Sequence, residues 1–254
     1  MAEITEMNVD PLLMARLDRV TKKFDLKHTR SIKEYVVWWL TGRRGQLSET
    51  FNALDEVTFD IHQGESVALL GFNGSGKSTT LKMVSGVLQP DRGIVQIRGR
   101  VAGLIEVGAG MHPDLTGREN IFLNAAILGL SEKEIRDRFD SIVKFSEIEK
   151  FIDTEVKFYS SGMYMRLAFS VAVHSDPDLF LVDEVLAVGD EPFQRKCIKK
   201  MHELREQHQT LMVVSHDLNL IQGICDRGIV LERGNVQFDG PIKEAVDFLR
   251  STEN

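Results

Sequence analysis

The stretch Gly71-Phe72-Asn73-Gly74-Ser75-Gly76-Lys77-Ser78, GFNGSGKS in one-letter code, decides the reading of this chain. It fits the spacing GxxxxGK[ST], in which a glycine-rich loop cradles phosphate oxygens with backbone N–H groups. Glycine is wanted because the loop needs backbone angles and close approaches that a Cβ would block. An apolar run, Val67 to Leu70, precedes the loop, and TTLKMVSGVL follows it with the pattern of a helix. That strand–loop–helix order aims a helix N-terminus at the same anion. Lys77 is placed to reach the β- and γ-phosphates of a nucleotide, and the Ser78 hydroxyl to ligate Mg²⁺. The expected nucleotide contacts are Gly71, Asn73, Gly74, Ser75, Gly76, Lys77, Ser78 and Thr79. A chance glycine-rich turn is the competing explanation, and the flanking strand and helix weigh against it.

Bulk properties narrow the class. The 254 residues are 43% hydrophobic and 27% charged, ordinary for a globular protein. A net charge of −7 argues against a general nucleic-acid binder. Cys197 and Cys225 lie far apart without a CxxC, so unpaired thiols in a reducing, intracellular setting are expected. The N-terminal MAEITEMNVDPLLMARLDR lacks the apolar core of a signal peptide. No apolar run approaches the roughly 20 residues that span a bilayer, so membrane contact is expected only through a partner or at the surface.

The chain organises as an α/β domain with a parallel core sheet, an antiparallel β subdomain and a helical subdomain. Ala15 to Phe24 and Ala53 to Ile61 read as strands. Ile94 to Ile97 and Val101 to Ile105 flank Arg98-Gly99-Arg100 and suggest a tight hairpin. Leu115 to Phe151 is mostly helical in pattern, with Ser131 and Glu134 spaced as a capping box. Leu179 to Val182 and Leu211 to Val214 are apolar without alternation, as in strands buried on both faces. Gly228 to Phe238 reads as a closing hairpin, and Pro241 as the start of a last helix.

Three further stations carry chemistry. LFLVDE, Leu179 to Glu184, ends a buried strand in two acids. There Asp183 can hold Mg²⁺ and Glu184 can polarise a water for in-line attack on a γ-phosphate, although two acids can also simply begin a helix. YSSGM, Tyr159 to Met163, places Ser160, Ser161 and Gly162 at the start of a helix. Hydroxyls, amides and the helix dipole make an anion site there, or Ser160 is an ordinary N-cap. His216 follows the strand LMVVS at a position suited to a γ-phosphate, although a lone histidine after a strand is usually unremarkable.

The order GFNGSGKS, YSSGM, LFLVDE, VGD and SHD resembles an ATP-binding cassette (ABC) ATPase, a P-loop NTPase, over nearly the whole chain. The resemblance implies a head-to-tail homodimer in which Ser160, Ser161 and Gly162 of one subunit cover the ATP held by the other. It also implies Asp190 as the D-loop aspartate, His216 as the switch histidine, Glu184 and Lys77 as catalytic residues, and Phe24 as the aromatic that stacks on adenine. A core position is the alternative for Phe24. Where the family usually has a glutamine that senses Mg²⁺, this chain reads GLIEVGAGMHP, and Glu106 is the nearest polar candidate.

YSSGM, VLAVGD and VGAGMHPDLTGREN together resemble the polysaccharide-exporting branch, which includes Wzt-like O-antigen, galactan and teichoic-acid exporters. That branch implies ATP and Mg²⁺ as ligands and two polytopic permease subunits as partners. It further implies a lipid-linked glycan as cargo, no nucleic acid, and a place at the cytoplasmic face of the bacterial cell membrane. Another exported cargo, or a soluble ABC ATPase outside transport, is the alternative. About residues 25–50 form an insertion, DLKHTRSIKEYVVWWLTGRRGQLSET, holding both tryptophans, Trp38 and Trp39, beside Arg43 and Arg44. A short helix at the membrane face is the expectation, set against packing on the domain's own β-edge. Residues 1–254 are expected to form a single cassette, with a helical subdomain over about 115–175 and no C-terminal carbohydrate-binding domain.

Overall fold

The computed structural model describes residues 12–26, 49–103, 110–183 and 190–252. Glu106, Glu184 and the tryptophan-bearing stretch 27–48 lie outside the described residues. Two sheets form the framework. In the first, β2 (Glu49–His62), β1 (Leu13–Leu26) and β4 (Arg92–Ile97) pair antiparallel in the order β2-β1-β4. The second has the order β5-β6-β7-β3-β8-β9, built from β3 (Ser66–Leu70), β5 (Val101–Gly103), β6 (Leu179–Val182), β7 (Thr210–Val213), β8 (Arg227–Glu232) and β9 (Asn235–Pro241). Its first five strands run parallel, and β9 closes the edge antiparallel to β8.

The central strands are buried on both faces, which explains their unbroken apolar sequence. Val67 and Leu69 of β3 pack toward the antiparallel sheet with Leu17, Leu54 and Phe59, and with Leu81 of α1 (Lys77–Val84). Ala68 and Leu70 pack on the other face. There they meet residues such as Phe193 and Met201 of α5 (Glu191–Glu206), Ile221 of α6 (Leu218–Ile224) and Val246 of α7 (Ile242–Ser251). Each such side chain, fully buried, contributes about 1.5–3 kcal/mol.

A third cluster belongs to the helical layer. Ile121 and Ala125 of α2 (Gly117–Ile127) pack with Ile135 and Ile142 of α3 (Glu132–Ser146) and with Leu167 and Val171 of α4 (Ser161–Val173). Helix α4 also sends Phe169, Ala172 and Val173 into the main core. One helix thus ties the helical layer to the sheet. Two of the three helices of the layer start on capping boxes, α3 with Ser131 and Glu134 as expected and α2 with Thr116 and Glu119 in addition.

The hairpin expected around Arg98-Gly99-Arg100 does not form. Strand β4 pairs with β1 and β5 with β6, in different sheets. The carboxylate of Asp178 accepts the Arg100 N–H at 2.6 Å. The Arg100 carbonyl in turn accepts the N–H groups of Asp178 and Leu179 at 2.8 and 3.1 Å. The segment after Gly99 is therefore captured by the start of β6, and the chain crosses from one sheet to the other. The hairpin β8–β9, by contrast, closes as read, and Pro241 stands at the N-cap of α7.

Candidate functional site

Parallel pairing brings the chemistry to one edge. Ala68 of β3 is level with Val213 of β7, and Val213 with Val182 of β6. Beyond the strands, the Val214 N–H still donates to Val182 O at 2.7 Å. The phosphate loop after β3, Asp183 after β6 and His216 after β7 consequently leave the sheet at the same C-terminal edge. Asp183 is half-buried and His216 is exposed. Asp217 beside it caps α6, accepting the N–H groups of Asn219 and Leu220.

Two glycines shape the loop by necessity. Gly71 has φ 141° and Gly76 φ 110°. A Cβ on Gly71 would stand 2.2 Å from the Leu231 carbonyl oxygen and 2.6 Å from Ser75 Oγ. One on Gly76 would meet Ala53 O at 2.7 Å and Leu54 Cδ2 at 2.6 Å. The β8–β9 turn braces the loop from behind, with Gly234 N–H donating to Ser75 O at 3.0 Å. Gly71→Ala is expected to cost about 2–3 kcal/mol, because the clash is with main chain that no rotamer change can relieve. Urea unfolding of the purified variant checks this; a midpoint equal to that of the parent would show that the Leu231 carbonyl yields to the added methyl group.

The loop is suited to a polyphosphate. Lys77 is buried at 7% exposure, and its Nζ donates to Gly71 O at 2.7 Å and to Phe72 O at 3.1 Å. The ammonium is thus held across the loop. Ser75 Oγ is buried with no hydrogen-bond partner, a polar atom left for an incoming oxygen. Asn73, Gly74 and Ser78 are exposed, and Thr79 is half-buried at the first turn of α1. The N-terminal N–H groups of that helix have no intrahelical acceptors and favour an anion. Ser78 at the helix start and Asp183 on the neighbouring strand are oxygen donors of the kind Mg²⁺ takes.

Phe24 is 41% exposed, which removes the core alternative. Opposite it across β1 and β2 stands Phe51, 44% exposed, with Lys22 Nζ 5.8 Å from the Phe24 ring. An aromatic pair at this edge offers a stacking surface for a flat base. Phe51 was not singled out by sequence; only strand register reveals it as the partner of Phe24.

Ser160 and Ser161 are exposed at the start of α4, and Ser160 Oγ accepts the Met163 N–H at 3.2 Å. The space over Gly162 is open, with only Ser160 Oγ at 3.9 Å from a Cβ built there. Asp190, at the N-cap of α5, is bound by Arg166 of α4. Partial desolvation raises the Asp190 carboxyl, but the Arg166 hydrogen bond and charge outweigh it and hold it below the usual carboxylate range. Arg166 also reaches Glu147 at 3.0 Å, and Glu147 is paired with Lys196 at 2.8 Å. This chain of ions joins Ser160's helix to Asp190.

Residues 54–187 match the model of the family described as ABC transporter. The chain belongs to the ABC transporter family. It is 42% identical over 233 residues to the O-antigen export system ATP-binding protein RfbB of Klebsiella pneumoniae, covering 91% of this chain and 95% of that one. To the ABC transporter protein AbcA of Aeromonas salmonicida it is 48% identical over 78% of this chain and 64% of the relative. To the teichoic acids export ATP-binding protein TagH of Lactococcus lactis it is 42% identical over 91% of this chain and 49% of the relative. The chain therefore spans less than two thirds of several of the curated relatives it matches. A solved ATP-binding subunit of an ABC transporter superposes with TM-score 0.73 at 25% identity, covering 93% of this cassette and 94% of that chain. The dimeric ATP-binding cassette MJ0796, in a post-hydrolysis state bound to ADP and Pi, superposes with TM-score 0.70 at 25% identity, covering 90% and 99%. Among the described residues no helix of the cassette is long and apolar enough to cross a membrane.

Proposed function

We propose that this cassette is the ATP-hydrolysing subunit of an exporter that moves a lipid-linked polysaccharide across the cytoplasmic membrane. The cargo is of the O-antigen, galactan or teichoic-acid type. The observation that carries hydrolysis is the phosphate loop, with Gly71 and Gly76 at contacts only glycine fits and Lys77 buried across its mouth. The nearly end-to-end relation to an O-antigen export ATP-binding protein supports the cargo class.

Lys77 moves its ammonium from the loop carbonyls to the β- and γ-phosphate oxygens. The N–H groups from Asn73 to Thr79 cradle the same oxygens, and Phe24 stacks on the adenine. Ser78 and Asp183 would hold Mg²⁺, which when bound would neutralise charge on those phosphates. Glu184 takes a proton from the attacking water, and His216 donates to the γ-phosphate. Ser160, Ser161 and Gly162 of one subunit close on the nucleotide of the other, and Asp190 lies along the seam. ATP held between two copies shifts the homodimer toward its closed state, and this motion drives two permease subunits. The assembly works at the cytoplasmic face of the bacterial cell membrane.

Lys77→Ala is expected to weaken ATP binding by about 10- to 100-fold, the worth of one or two hydrogen bonds to a charged group. Isothermal titration with ATP and Mg²⁺ reads it, and unchanged affinity would overturn the assignment of the loop. The cargo reading is tested by purifying tagged Glu184→Gln protein from native membranes with ATP. Recovery of a polytopic membrane protein with a lipid-linked glycan supports export; ribosomal proteins or no partner overturn it.

A further inference from the structure

Two loops that are far apart in sequence are laced together beside the YSSGM turn. The Val156 and Lys157 N–H groups donate to Leu115 O and Pro113 O, each at 2.9 Å. The Gly117 and Arg118 N–H groups donate back to Thr154 O at 3.2 Å and Ile152 O at 2.9 Å. Ion pairs of Lys157 with Asp114 at 3.2 Å and of Arg118 with Asp153 at 2.7 Å flank the lacing. The last tie is Tyr159, whose Oη donates to Phe151 O at 2.7 Å.

Room for that phenol exists only because residue 117 has no side chain. A Cβ on Gly117 would stand 2.2 Å from Tyr159 Oη. Burial, with the Asp153 charge behind it, pushes the phenol up to about 12, so it stays a hydrogen-bond donor at any physiological pH. A phenylalanine would fill the same space, so the hydroxyl is not there for packing. Directly after it comes Ser160, exposed, extended at φ −67° and ψ 159°, with its Oγ on the Met163 N–H.

We propose that Tyr159 is a positioning residue for the contact made in trans: its bond to Phe151, seated over Gly117, sets where Ser160 and Gly162 meet the nucleotide of the other subunit. This rests on the ATPase reading above. A structural role alone would lower thermal stability and every nucleotide interaction together. A positioning role weakens only what the YSSGM turn touches.

The test compares Tyr159→Phe with its parent, both carrying Glu184→Gln to block turnover. Fluorescent ADP reports the phosphate loop alone, because without a γ-phosphate Ser160 has little to hold. Light scattering reports ATP-driven dimerisation. The expected result is unchanged ADP affinity, a melting temperature lowered by at most about 2–4 °C, and about 5-fold more ATP needed for half-dimerisation, the worth of one hydrogen bond. Gly117→Ala should weaken dimerisation likewise, and should do less harm in the Tyr159→Phe background, where the clashing oxygen is gone. Dimerisation equal to the parent overturns the inference, as does a joint fall of ADP affinity and melting temperature. A parent that neither binds ATP nor dimerises overturns the ATPase reading as well, which separates the two failures.

Discussion

Replacing Glu184 by glutamine is expected to slow ATP turnover by about 10²- to 10⁴-fold with nucleotide binding retained, the usual worth of a general base. In sequence Glu184 directly follows Asp183, which leaves the sheet at the same edge as the phosphate loop and His216. The amide has the size of the carboxylate and cannot take a proton from the attacking water. It leaves intact Lys77 and the glycine contacts that hold the loop. Phosphate release at saturating ATP is the measurement. Turnover within a factor of a few of the parent would move the base elsewhere, with His216 the next group to vary.

Asn120→Ala is expected to cost about 3 kcal/mol, because it removes four hydrogen bonds made by one side chain, each worth about 0.5–1.5 kcal/mol. Asn120 is fully buried. Its amide donates to the carbonyls of His112, Leu115 and Thr116 at 3.0–3.1 Å, and its oxygen accepts the His112 N–H at 2.7 Å. At this chain length the melting temperature should fall by about 6–12 °C. Calorimetry reads it, and a drop under about a third of that would mean that water replaces the amide. Asn120→Asp should be no milder, since a carboxylate cannot supply the donated bonds.

Local patterns were reliable where short-range physics is decisive. The glycines and lysine of the phosphate loop, the Ser131–Glu134 capping box and the all-apolar β6 and β7 each depend on residues within one turn or one strand. The Thr116–Glu119 box has the same spacing in LTGREN and is equally legible in the sequence. The supposed hairpin at Arg98-Gly99-Arg100 failed for a different reason. A turn signal says that the chain bends, and only Asp178, distant in sequence, determines which sheet receives the next strand.

From sequence alone came the loop chemistry, the acids after a buried strand, the serines at a helix start and the family to which they belong, since spacing within a segment sets each of these. Tertiary structure decided what depends on partners distant in the chain. It paired Phe24 with Phe51, ran the Glu147–Arg166–Asp190 chain between helices, and placed the Tyr159 phenol over Gly117. A hydrogen bond or a steric contact acts over a few ångströms, and those ångströms are set by packing.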